Sequence, residues 1–501
     1  MLKKIASNWL VLVVTVPATY FLVPFNLRHL GQDQYGLLML IASITGYLSL
    51  LQLGVPMASV RHLTKAIAEG DQTAVNRLVA SLAGLYLGLG SVAVLLGLPL
   101  LVFYENAYVI PPSLQAQSRG AFLLVLASVG LGFIGQLPNA IMNSYQDFVR
   151  VNLLATGMVL LRVGVNVVLV LWFPSLLVLA AGQVLVGVLE ATVLWTLVFT
   201  CHQEIRLRPA LFSAALVRRV FGFSLYVLLL SMGTQLSFQT DAIVIGRYLN
   251  PAQIPIFLAG NNLILYLMQF LIGIASVMMP LATALQAQGR MDELRAAFFK
   301  WSKLAIALTG CAGVYLVLFG PRFVANWIGA DFEEPAGSVL RILMLSYFVF
   351  LPTRGVCLPV LMGLGKVARP TVLFLIAGVL NLILSVILVQ PFGLDGVAWG
   401  TTIPNVLLAG ALLYLACKAL EIRVLSYFAT TLPKAAVGLG LAFLLLASLR
   451  WVWEPRNFVE LAAAGVMTVG LFGMIWLGFV FRNDPHVPLP RFIRLLPRCV
   501  P

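Results

Sequence analysis

The sequence predicts an all-α protein that crosses a membrane about fourteen times, and three observations carry that expectation. Of its 501 residues, 61% are hydrophobic and only 10% charged, whereas soluble domains are about a quarter charged. The apolar residues gather in runs that match the roughly 20 helical residues needed to span a bilayer core, not in the ten-residue alternating segments of a barrel. Finally, a short feature recurs half a chain apart. FNLRHLGQDQYGLL at 25–38 and VIGRYLNPAQIPIF at 244–257 set Arg28, Leu30 and Gln34 in step with Arg247, Leu249 and Gln253.

The first run, 9–27, follows the basic start MLKK. A basic start and an apolar run suggest a signal peptide, but no small-residue cleavage site follows, so a retained helix is expected. Pro17 and Pro24 break this run and Pro56 breaks the second, 36–60. Runs 79–103 and 120–144 follow. Runs 151–172 and 175–199 are separated only by Phe-Pro-Ser, a tight turn around Pro174. Run 220–240 is polar for a span, with Ser231, Thr234, Gln235, Ser237, Gln239 and Thr240, and run 255–283 carries Asn261, Asn262 and Gln269. The remaining runs are 302–320, 339–362, 370–390, 395–417, 434–450 and 458–481.

Sliding the chain by 219 residues aligns 28–70 with 247–289 without a gap, adding Tyr47/Tyr266, Leu48/Leu267, Gly54/Gly273, Thr64/Thr283, Ala68/Ala287 and Gly70/Gly289. The repeat unit is therefore six spans. Six is even, so both copies enter from the same side, and the interface of such parallel repeats houses substrate sites in many transporters. The expected organisation is an N-terminal six-helix bundle over 1–200, a cytoplasmic linker over 201–219 and a C-terminal six-helix bundle over 220–420. Two additional helices over 421–481 and a basic cytoplasmic tail over 482–501 complete it. The tail is expected on the anionic inner leaflet or in solvent.

Most of the 32 basic residues fall in loops on the side of the N-terminus. By the positive-inside rule both termini are cytoplasmic, and the net charge of +14 belongs to that pattern. The charges are scattered over short loops, so no nucleic-acid footprint is formed. The five cysteines lie in spans or on the cytoplasmic side and predict no disulfide. The four histidines sit in separate loops, so no metal site is expected, and no cofactor motif is present. There is no Walker A motif, no dinucleotide fingerprint and no Asp-x-Asp, and no catalytic residue is expected. The one acidic outer cluster, Asp331, Glu333 and Glu334 in DFEEP, is expected to be a solvated loop.

The informative residues are ionisable groups inside spans, each costing about 2.5–3.5 kcal/mol at a helix centre unless it faces a cavity or a partner. Arg162 and Arg354 lie near the middle of their runs, Glu190 lies in run 175–199, and Asp241 closes run 220–240. Arg162 and Arg354 either face a ligand or pair with Glu190 or Asp241. Arg28, Arg61 and Arg247 border spans and either face a cavity or snorkel to the interface. The polar residues and prolines together suggest a wet cavity lined by the first, second, seventh and eighth spans, where freed backbone groups find partners.

The stretch RHLGQDQYGLLMLIASITGYLSLLQLGVPMASVRH resembles the first hairpin of polysaccharide flippases, the lipid-linked-oligosaccharide exporters of the multidrug/oligosaccharidyl-lipid/polysaccharide superfamily. QTDAIVIGRYLNPAQIPIF, MMPLATALQAQGRMDELRAAFFK and the stretch from Val360 to Asn405 are similar to the same family, so the resemblance runs from about residue 8 to 420. Its elements are Arg28, Leu30, Gly31, Tyr35 and Gly36, then Thr240–Asp241, then Asn381, Gly393 and Gly396–Val–Ala. Asn250, Pro251 and Pro255 depart from the pattern in the second copy.

The resemblance implies two six-helix bundles forming a V-shaped cavity, and alternating access. It implies a polyprenyl-pyrophosphate-linked oligosaccharide as cargo, moved from the inner to the outer leaflet of the cytoplasmic (inner) membrane for O-antigen, capsule or exopolysaccharide biosynthesis. Membrane lipids surround such a protein, and a polysaccharide polymerase and glycosyltransferases are candidate partners. In the lipid II flippase of the same superfamily, the extra helix pair accommodates a lipid tail. On this reading Arg28, Arg61, Arg162, Arg247 and Arg354 are cavity arginines, since a guanidinium grips pyrophosphate bidentately, and Asp241 and Glu190 are candidate ion-coupling carboxylates. The alternatives are a multidrug/cation antiporter, which calls for an acidic, aromatic-lined cavity, and a non-transporting scaffold, which needs no cavity charges.

Overall fold

A computed structural model describes residues 2–52, 54–221 and 225–487, and every regular element among them is helical. The first helix, α1 (Leu2–Gly46), bends at Gly31, whose φ of 77° and ψ of 170° suit only glycine. Two of the apolar runs thus share one bent helix. The second run does not continue to residue 60 as a single helix. It ends at Gly46, passes through a 3-10 turn at Tyr47–Gln52, and restarts as α2 (Val55–Ala68). Gly54 at φ 72° precedes the restart. Pro56 sits in the new first turn, where a missing N–H leaves nothing unpaired.

Asp71 starts α3 (Gln72–Ala107) by accepting from Ala74 N at 2.9 Å, a normal cap. Next come α4 (Gln115–Ser144), α5 (Phe148–Trp172) and α6 (Leu176–Cys201). The α6 N-terminus is capped twice. Ser175 Oγ accepts from Leu177 N at 3.2 Å, and Gln34 Oε1, from the repeated motif, accepts from Leu176 N at 3.0 Å. The expected 201–219 linker holds a 3-10 turn at Pro209–Leu211 and the start of α7 (Ala214–Phe221). After it comes α8 (Leu225–Tyr248).

Compactness divides the chain at Pro255/Ile256, beyond the linker where the repeat places a boundary. The reason is packing: α7 lies on α2 and α3, and α8 lies on α1. In the first unit, α2, α3 and α4 share a core built around Val55, Val79, Tyr86 and Ile141.

The second unit contains most of α9 (Ile254–Ala287), then α10 (Met291–Trp327), α11 (Glu333–Gly363), α12 (Ala368–Ala419), α13 (Val424–Val452) and α14 (Phe458–Ile475). α12 folds at Gly393, with φ 56° and ψ −132°, so runs 370–390 and 395–417 form one hairpin. Asn381 Nδ2 donates to Thr401 Oγ1 at 2.9 Å across it. This accounts for the Asn381…Gly393 element as a structural clasp. Phe319, Tyr347, Phe350 and Phe374 fill the core of α10, α11 and α12. The two added helices pack on α10, where Tyr315 OH donates to Leu461 O at 3.0 Å and Arg450 Nη1 to Leu318 O at 2.5 Å.

Among the described residues, eleven helices are long and apolar enough to cross a membrane. Val13–Ala68 and Ala368–Ala419 each contain one of the glycine bends, and the polar-rich α8 adds 24 residues. Among the described residues, these elements hold the apolar runs read from the sequence. Their outward faces are apolar: Ile376, Val379, Ile383 and Ile387 of α12 recur at helical spacing and are all exposed, as a lipid-facing surface requires.

Three further expectations change. Pro17 and Pro24 do not break the first run, because α1 runs through both and departs from helical geometry only at Gly31. The DFEEP segment is not a solvated loop, because Glu333 opens α11 and pairs with Arg322 at 2.9 Å. Arg322 also holds Glu454 at 2.6 Å, and that hydrogen bond keeps the Glu454 carboxyl below its ordinary range. The basic tail is packed at its start. Lys303 Nζ meets Asp484 Oδ2 at 2.5 Å, and both side chains are buried. The rest of the tail, 488–501, with Arg491, Arg494 and Arg498, lies outside the described residues.

Candidate functional site

Among the described residues, three of the cavities lie against the spans and arginines singled out from the sequence. The first, of about 560 Å³, lies between the 3-10 turn and start of α2 on one side and α8 on the other. Ser49, Gln52, Ser231, Thr234 and Gln235 line it. Two of the four spans expected to line a wet cavity, the second and the seventh, therefore do so. Deeper along α8, the Tyr47 and Thr240 hydroxyls share a hydrogen bond of 2.7 Å. Asp241, next in sequence, is 4% exposed.

The second cavity, of about 460 Å³, lies among α4, α5 and α6. Arg162 of α5 pairs there with Glu190 of α6 at 3.2 Å. The pairing open from the sequence is thus the one observed, and Glu190 is the partner of Arg162 in this arrangement. Both remain open to the cavity, Arg162 being about half exposed. Gln136 and Asn139 of α4 and Gln183 of α6 complete the polar wall. These amides were missed in the sequence. The signal was a stripe in an apolar span: Ser128, Gly132, Gly135, Gln136 and Asn139 share one helical face, as do Gln183, Gly187 and Glu190.

The third cavity, of about 320 Å³, lies between α9 and α11. Its walls include Met268, Leu271, Met279, Leu351 and Met362, and among the described residues Arg354 is the one charged residue lining it. The Arg354 guanidinium stacks over Phe350 at 5.7 Å and Phe374 at 5.6 Å from their ring centroids. Such cation–π contacts compensate part of the loss of water around a buried charge.

The border arginines stand elsewhere. Arg28 is exposed on the first limb of α1, Arg61 is exposed on α2, and Arg247 is exposed in the last turn of α8. Arg247 acts on the Tyr108 phenol, which burial pushes up to about 12 against the opposing pull of that positive charge. None of the three lines the cavities of Arg162 or Arg354.

The repeated turns meet. The second limb of α1 packs on the 3-10 turn Pro251–Gln253, and a Cβ added to Gly36 would stand 2.0 Å from the Pro251 carbonyl oxygen. Pro251, a departure from the family pattern, is therefore the surface on which Gly36 rests.

A family profile described as "Polysaccharide biosynthesis protein" matches residues 1–286. No curated protein sequence matches the chain. Among solved structures, an inward-facing multidrug resistance MATE family transporter of the MOP superfamily matches with a TM-score of 0.71 at 15% identity, over 81% of this chain and 94% of its own. The lipid II flippase MurJ, in an inward closed conformation, matches with a TM-score of 0.68 at 12% identity, over 94% and 100%. A MOP superfamily transporter from Pyrococcus furiosus matches with a TM-score of 0.61 at 15% identity, over 84% and 96%. At these identities the likeness establishes a shared fold, and among the three the flippase match extends over the largest share of this chain.

Proposed function

Because this chain belongs to the polysaccharide biosynthesis protein family, we propose that it is a flippase. Its cargo is a polyprenyl-diphosphate-linked oligosaccharide, carried from the inner to the outer leaflet of the cytoplasmic membrane. The proposed mechanism is alternating access between two six-helix bundles, 1–200 and 220–420, with both termini cytoplasmic.

The observation that carries this reading is the lining of the α9–α11 cavity, where one guanidinium stands among methionine, leucine and proline walls. A diphosphate attached to a polyprenyl chain presents that combination: a compact anion with paired oxygens joined to an apolar tail. Arg354 supplies a planar fork for the anion, and the apolar walls suit the isoprenoid. Methionine side chains adapt to an irregular chain without a fixed shape. A multidrug/cation antiporter would need carboxylates to dominate, whereas the cavities of Arg162 and Arg354 hold two arginines and the single carboxylate of Glu190.

The test is transfer of a lipid-linked oligosaccharide in vesicles containing the purified protein, with Arg354→Ala beside the native chain. Native transfer and its loss in the variant, at equal insertion, are expected. Equal transfer by the two would remove Arg354 from the cargo path, and absence of native transfer would end the flippase reading.

A further inference from the structure

We propose that the α4–α5–α6 cavity is a separate subsite for the sugar rings of the cargo, one that recognises hydroxyl groups and not the diphosphate; this rests on the flippase reading above.

The charge in this cavity argues first. At 3.2 Å, Arg162 and Glu190 cancel at any distance comparable to a ligand's size, so the cavity offers little net attraction to an anion. It is a poor place for a diphosphate. The same pair is well suited to a neutral polyol. The bond joins one N–H of Arg162 to one oxygen of Glu190, which leaves a carboxylate acceptor beside guanidinium donors. A sugar hydroxyl is donor and acceptor at once, and neighbouring hydroxyls on a ring engage such mixed pairs. Gln136, Asn139 and Gln183 each add a donor and an acceptor in one planar group. Asn139 is also steadied, its Oδ1 accepting from Asn143 Nδ2 at 3.0 Å.

The space argues next. At about 460 Å³, the cavity falls within the range of about 300–1,000 Å³ typical of small-ligand sites. Glycines create it. Gly132, Gly135 and Gly187 line the cavity, and a Cβ built on any of them meets no atom within 4 Å. Helices gain no stability from glycine, which costs about 1 kcal/mol relative to alanine in a helix interior. Three glycines facing one polar void are therefore accounted for by what the void admits.

The cavity can be filled without disturbing packed atoms. Gly135→Leu and Gly187→Leu, each made alone, fill it sterically. Glu190→Gln with Arg162→Gln removes the mixed pair while keeping volume. The probes are the lipid-linked oligosaccharide fraction extracted from the parent cells and sugar-free polyprenyl diphosphate, with binding to the purified protein measured for both.

The native chain is expected to prefer the oligosaccharide lipid. The glutamine pair is expected to lose that preference by about tenfold or more, as removal of a hydrogen bond to a charged group predicts, and the leucine variants to lose it by filling the space the sugar takes, while sugar-free lipid binds as before. If the variants keep the native preference, the subsite is overturned and the flippase reading stands. If the variants weaken both lipids equally, the cavity does not discriminate sugar, and the proposal is again overturned. If the native chain binds neither lipid, the functional reading fails and the subsite with it. Thermal unfolding of each variant shows that it is folded, and should one leucine variant not fold, the other glycine and the glutamine pair give the same reading.

Discussion

Gly36 of α1 lies against the backbone of Pro251, so close that a Cβ on it would stand 2.0 Å from the Pro251 carbonyl oxygen. The two turns that repeat in the sequence are thus in direct contact. A side chain there must push backbone against backbone, with no flexible atom to give way. Both residues belong to the first compact unit, so the contact is part of that unit's own packing. Gly36→Val is expected to reduce glycan export at least tenfold while the protein still inserts. Export at native levels, normalised to protein in the membrane, would show that this close packing is not needed for function.

Arg354 tests the chemistry of the α9–α11 cavity more finely than its removal does. Lysine restores the charge but not the planar fork or the flat face stacked over Phe350 and Phe374. Arg354→Lys is expected to transport at an intermediate rate, below the native chain and above Arg354→Ala. Full rescue by lysine would reduce the role of Arg354 to charge alone.

Lys303 and Asp484 close the C-terminal region onto α10. Removing one partner leaves the other charged and buried, at a cost of about 3 kcal/mol, the lower end for buried pairs. Lys303→Met is therefore expected to lower the unfolding temperature, and Lys303→Met with Asp484→Asn to recover most of the loss. If the double variant is no more stable than the single one, the ion pair is not what holds the segment.

The same segment predicts a pH dependence. Burial pushes the Asp484 carboxyl up, but hydrogen bonds from Lys303, His486 N and Val487 N outweigh it, and the net shift is downward. Its contribution is present above the ordinary value of 3.8 and is lost only as pH falls toward the lower folded value. His486, stacked on Phe299 at 4.8 Å, is held below its ordinary 6.5 by burial and by the Lys303 charge, against the opposing pull of Asp484. Between that folded value and 6.5 the unfolded chain binds more protons, so stability falls as pH drops through this window. Unfolding temperature is expected to decline from about pH 7.5 to about pH 5.5, and less steeply in His486→Gln. Identical slopes would assign the dependence to other groups.

Topology can be read with reporter fusions. Gln288 and Lys418 are expected to report the cytoplasm, and Asn106 and Asp331 the opposite side. An external signal at Lys418 would break the parallel repeat and the two-bundle scheme with it.

The sequence by itself determined the helical spans, because a bilayer admits few ways to satisfy a backbone and long apolar runs leave only the helix. It did not mark where those helices bend: Pro17 and Pro24, expected to break the first run, lie inside α1, and the bends fall at Gly31 and Gly393. Gly31 and Gly393 carry conformations that other residues resist, and Pro56 begins a helix where the missing N–H costs nothing. The expense of charge in a span singled out Arg162 and Arg354 before any packing was known.

Only the tertiary structure decided what each of those groups meets. Arg162 found Glu190 on the neighbouring helix, while Arg354 found aromatic faces and an apolar cavity. Gln34 caps α6 from 142 residues away, and Lys303 reaches Asp484 across 181. The α8 helix packed with the first unit although the repeat assigns it to the second. The physical reason is common to all of these. A helix that is apolar all round shows no preferred face in its sequence, so which residues meet is settled by the packing of helices distant along the chain.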